Sequence, residues 1–129
     1  MNKAILNEFN FPQIKKASSA AEAAAIWWTV ILIINSLRTP PKEKLEVFFQ
    51  SLRECLLHDV QEGEEVELKV DNGGRSNLFT EFTKAAGIKQ SFLFKAWMLY
   101  SSERVIVSHR SSEYQIWPAV DSKKNDVVK

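Results

Sequence analysis

One cysteine, four glycines and four prolines are all that 129 residues hold of these types. A lone cysteine excludes an intramolecular disulfide framework and any cysteine-rich zinc module. So little glycine and proline excludes collagen-like and linker-rich classes. An excess of charge of one sign is missing too: 17 Lys and Arg stand against 16 Asp and Glu, a net charge of +1. Attraction to a polyanion driven by overall charge is thereby excluded. The pattern of a secretory leader is not met either, because polar and charged residues persist through Lys16 before the strongest apolar run begins. With Cys55 as a single thiol, a reducing, cytoplasmic setting is the expectation.

What is present is ordinary for a folded domain: 45% hydrophobic and 26% charged residues. A chain of this length can bury about 65% of its unfolded surface and needs no staple. The expectation is one domain over residues 1–120, with residues 121–129 as a frayed tail that has little to bury. Before residue 17, Ile5, Leu6, Phe9, Phe11 and Ile14 suggest a short helix or arm lying on the core, and Pro12 breaks any long helix there.

Ser19 and Glu22 form an S-x-x-E pattern ahead of a run of alanines, which predicts a helix starting at Ala20. The segment Ala20–Leu37 is apolar on all sides after Glu22. Its uninterrupted part, Ala23–Ile34, has only twelve residues, and a spanning helix needs about 20. A buried core helix is therefore expected. Membrane association, or self-association through Trp27 and Trp28, are the alternatives. Arg38, Thr39, Pro40 and Pro41 end this helix and start the next. From Lys42 to His58, Leu45, Phe48, Phe49, Leu52, Cys55 and Leu56 recur at three-and-four spacing, the mark of one helical face. Val47 and Leu57 widen that stripe and predict cover on more than one side.

Residues 61–71 carry five acids and one lysine, but Val66, Leu68 and Val70 alternate with Glu65, Glu67 and Lys69. That is a strand with one wet face. A sharp turn follows at Asp71–Gly74, then a helix over Asn77–Ala86, with Leu78, Phe79, Phe82 and Ala86 inward and Gly87 as its left-handed stop. Three strands close the chain: Phe92–Tyr100, Arg104–His109 and Glu113–Trp117. The short spacing between them favours an antiparallel meander. The predicted fold is α+β: two N-terminal helices, strand–helix–strand and a C-terminal meander, with helices packed on a four-stranded sheet. The passage across residues 65–100 is long enough for a crossover, so the first strand is expected to be able to lie parallel to a later one.

Chemistry-bearing patterns are sparse. Asn72, Gly73, Gly74, Arg75 and Ser76 leave a strand and enter a helix, where backbone amides and one guanidinium can hold an anion. The spacing matches neither phosphate-binding glycine motif, so a structural turn is the plainer reading. Cys55 and His58 can share a helical face, but Cys55 lies on the apolar stripe and reads as a buried, inert thiol. A zinc site from Cys55, His58 and His109 would need distant elements to converge. No catalytic or metal-binding residue is assigned, and no cofactor is expected.

From residue 72 onward nine Lys and Arg face five Asp and Glu. Within that basic half, Arg104, His109, Arg110, Tyr114 and Trp117 mix cations and aromatics on the last strands, as candidates for binding a partner. The expected function is that of a small soluble accessory or inhibitory protein. Its partner would be another protein or a second copy of the chain. A nucleic-acid or phosphate-binding module on the same sheet is one alternative, and a small enzyme with an unrecognised site is another. A membrane partner is not expected.

Overall fold

The computed structural model describes residues 17–36, 38–70, 78–88, 95–109 and 112–118. The expected N-terminal arm, the 72–76 turn and the 121–129 tail lie outside the described residues.

Helix α1 is Ala20–Ile34. Ser19, in extended geometry, accepts from Glu22 N through its hydroxyl at 3.1 Å. The Glu22 carboxylate reaches back to Ser18 N at 2.8 Å, one residue beyond the usual partner in a capping box. At the other end Asn35 donates from its backbone and its side chain to the Ile31 carbonyl. Apart from Glu22, every residue from Ala20 to Ile33 is buried. The one hydroxyl in that run, on Thr29, donates to the Ala25 carbonyl at 2.7 Å, so no polar group in the run is buried at the cost of a lost hydrogen bond. Trp27 and Trp28 meet edge to face, 4.9 Å between ring centroids.

Helix α2 is Lys42–Asp59, and it buries Leu45, Phe48, Leu52 and Leu56. It packs along α1. Arg53, late in α2, stands 3.9 Å from Glu22, early in α1, so the two helices run antiparallel. Val47 and Leu57, expected under cover, are each 47% exposed. They sit off the buried row, and among the described residues nothing packs over them. Cys55 is likewise only half-buried, not sealed in the core.

The strands are β1 (Val66–Val70), β2 (Ala96–Tyr100), β3 (Val105–His109) and β4 (Ser112–Trp117), with helix α3 (Leu78–Ala85) between the first two. They form one sheet in the order β1-β2-β3-β4, antiparallel throughout. The parallel placement allowed for β1 is overturned. Val70 pairs with Ala96, so the chain through α3 returns to the sheet end that it left, whereas a crossover must deliver it to the opposite end. Gly87 follows α3 at φ +78°, the left-handed stop expected there.

All three helices serve one face of the sheet. Trp28 Nε1 lies 3.2 Å from the Met98 sulfur, seating α1 over β2. Met98, Val105 and Val107 are fully buried, with Leu68, Val70, Ala96 and Tyr100 beside them. α1 also touches β3 and β4, while α3 touches α2 and β1.

Candidate interaction surface

Side chains alternate between the two faces of a strand. With Leu68, Met98, Tyr100 and Val107 under the helices, Glu67, Lys69, Trp97, Leu99, Ile106 and Ser108 point the other way. The register lines them up across the sheet. One row runs Glu67, Leu99, Ile106, Gln115, and the next runs Lys69, Trp97, Ser108, Glu113. Leu99 and Ile106 are direct cross-strand neighbours, and Trp97 is beside them. All three are half-buried and lie outside the hydrophobic core cluster. The Trp97 indole N–H donates to Glu67 Oε2 on the diagonal, which turns the ring toward β1. The rim is charged and mixed in sign: Glu67, Lys69, Lys95 and Glu113 are all exposed. The result is an apolar centre within a polar border, on the face that no helix covers among the described residues.

The partner-binding residues expected from the sequence land elsewhere. Arg104 lies in the turn before β3, which begins at Val105, and its carbonyl closes that turn by accepting from Ser101 N at 2.9 Å. Trp117 is at the same end, opposite Val105, and packs against the core. His109 is at the far end of β3, four steps of about 3.3 Å away. There its Nε2 is 3.5 Å from Asn35 Nδ2, at the end of α1. Tyr114 is on the helix side, its hydroxyl accepting from Trp27 Nε1 at 3.2 Å. Arg110 is outside the described residues, as is the anion candidate of Asn72, Gly73, Gly74, Arg75 and Ser76. The structure thus brings Arg104 and Trp117 to one end and His109 to the other. The alternation along β2 was visible in the sequence. Nothing in it shows which face the helices take, so the pairing of Leu99 with Ile106 on an open face is decided by the tertiary structure.

Two other places bear on chemistry. Cys55 donates to Asp59 Oδ2 at 3.3 Å. Burial first, then that bond and the charges of Asp59 and Glu81, push its thiol up to about 11. A nucleophilic cysteine needs the opposite shift. Among the described residues, no group of three His, Cys, Asp or Glu is placed to hold a metal ion. A recess of about 260 Å³ lies at the start of α2, lined by Arg38, Thr39, Lys44 and Gly87 among others. Lys44 Nζ donates to the Gly87 carbonyl there at 2.9 Å, while the buried Thr39 hydroxyl has no hydrogen-bond partner among the described residues. The recess suits a small anion by sign but brings no acid–base pair together.

Among the described residues, no helix is long and apolar enough to cross a membrane. Comparison with family models, curated proteins and solved structures finds no match to this chain.

Proposed function

We propose that this protein acts by binding another protein through the open face of its sheet, as a small accessory or inhibitory component. The observation that carries this reading is the Leu99–Ile106 pair with Trp97 beside it, apolar and outside the core cluster. An apolar centre with a polar border is the anatomy of a protein interface, where a few central residues dominate affinity. The rim supports a protein over a polyanion, because Glu67 and Glu113 offset Lys69 and Lys95. The raised pKa of the Cys55 thiol weighs against Cys55 as a nucleophile, and a single thiol suits a reducing compartment such as the cytoplasm.

The test is affinity capture with the full chain beside Leu99→Glu and Ile106→Glu variants that keep their circular dichroism. Loss of a captured protein by both variants, with its affinity for the wild type measured by titration, is the expected result. Equal affinity for all three chains would overturn the reading. Recovery of nucleic acid instead, with binding that falls steeply as salt rises, would move the function to the phosphate-binding alternative.

A further inference from the structure

We propose that two copies of this chain pair through β1, antiparallel about a two-fold axis at Leu68, so that two four-stranded sheets become one of eight strands. This goes beyond the open-face reading: it uses the sheet edge, with Glu67 and Lys69 of the polar border as its charged pair.

β1 ends the sheet. It is bonded to β2 on one side, and among the described residues no strand lies on the other. An edge strand directs a backbone N–H and C=O outward at every second residue, and these groups are a template for another strand. Charged side chains on an edge usually deter such pairing. Here the two charges are of opposite sign and flank the strand's centre: Glu67 and Lys69, both exposed, on either side of buried Leu68.

The geometry of pairing selects one register. Residues opposite each other in an antiparallel pair must point to the same face, so the two-fold must pass through a residue. An axis through Glu67 sets two carboxylates face to face, and one through Lys69 sets two ammonium groups face to face. An axis through Leu68 pairs all five residues of the strand. Glu67 then faces the partner's Lys69 twice over, Leu68 faces its own copy, and Val66 faces the partner's Val70 on the helix side. Opposite-charge and apolar pairs across strands each stabilise a sheet, and like charges directly opposite destabilise it. Within Val66–Val70 this register contains no like-charge pair.

Two further points fit. Glu67 gives Oε2 to the Trp97 indole, and a carboxylate has a second oxygen to offer an ammonium group. The exposed acids upstream, Glu62, Glu64 and Glu65, are sent to opposite ends of the paired strands. The two copies of Glu65 are about 20 Å apart at ~3.4 Å per residue, well beyond the ~8 Å screening length at physiological salt. The next same-face position upstream, Glu65, is another exposed acid, and the pairing is confined to the five strand residues.

The experiment is sedimentation of the purified full chain over a concentration series, with no other partner present. The wild type is expected to shift from monomer to dimer as concentration rises. Glu67→Lys and Lys69→Glu should each weaken that association at least about tenfold, since each places like charges opposite one another on both sides of the axis. An equimolar mixture of the two variants should associate again, because two lysines of one strand then meet two carboxylates of the other. A wild type that stays monomeric throughout, or dimers indifferent to both variants, or a mixture that fails to associate, would each overturn the proposal. If a variant does not fold, hydrogen exchange on the wild type decides: the outward amides of Val66–Val70 must gain protection with concentration. None of these results depends on Leu99 or Ile106, so failure here and failure of the open-face reading are separately visible.

Discussion

Trp27 Nε1 and the Tyr114 hydroxyl meet at 3.2 Å across 87 positions of sequence. The bond ties the middle of the buried helix to the last strand of the sheet. Trp27 has no exposed surface, while Tyr114 is 37% exposed. An aromatic that sequence reasoning offers to a partner thus also accepts a hydrogen bond from the buried helix, while part of its ring stays exposed.

Replacing Tyr114 by Phe should cost about 1–2 kcal/mol. The ring keeps its packing, but the Trp27 indole N–H loses its acceptor in a place that water reaches poorly. Urea denaturation checks this, and a change within about 0.3 kcal/mol would mean that the indole finds another acceptor.

Phe48 and Val47 are chain neighbours with opposite fates. Phe48 is fully buried in the core cluster, and Val47 points out. Phe48→Ala should cost roughly 3–5 kcal/mol through lost burial and the cavity left behind. Val47→Ala should stay within about 0.5 kcal/mol. Similar midpoints for the two variants in denaturant would show that the helix is rotated from the orientation described.

Cys55 should be slow to alkylate. A thiol at about 11 against an ordinary 9.0 holds ~100-fold less thiolate at pH 8. Iodoacetamide labelling should rise steeply only above pH 10, and Asp59→Asn should bring that rise to lower pH. The same shift bears on stability. A folded-state pKa above the unfolded one means that the unfolded chain loses its proton first, so stability falls as pH climbs from about 9 to about 11. Burial raises the Tyr100 phenol above its ordinary value of 10.0 as well, which extends the loss in the same direction. Alkaline melts of the wild type and of Cys55→Ala should differ in slope over that window, the variant being the flatter.

Much of the architecture follows from local pattern. Ser19 with Glu22 and the alanine run place the start of α1, because a hydroxyl cap and low side-chain entropy act within a few residues. The spacing of Leu45, Phe48, Leu52 and Leu56 defines the buried face of α2, and the alternation of Val66 to Val70 defines β1, since both periods are properties of the backbone. Gly87 marks the end of α3 for the same local reason: it stands at positive φ, which other residues rarely adopt.

Tertiary structure decided what periodicity leaves open. A period tells which residues share a face but not what that face meets. The helices cover Met98 and Val107 rather than Leu99 and Ile106, although both sets read as apolar strand positions. Val47 and Leu57 read as part of a wider stripe, yet the arrangement of α1 and α2 leaves them in water. β1 runs antiparallel to β2 because the segment through α3 comes back to the end it left, a matter of where a long connection closes. The candidate surface depends on these non-local choices, so the residues were legible in the sequence and their assembly into one open face was not.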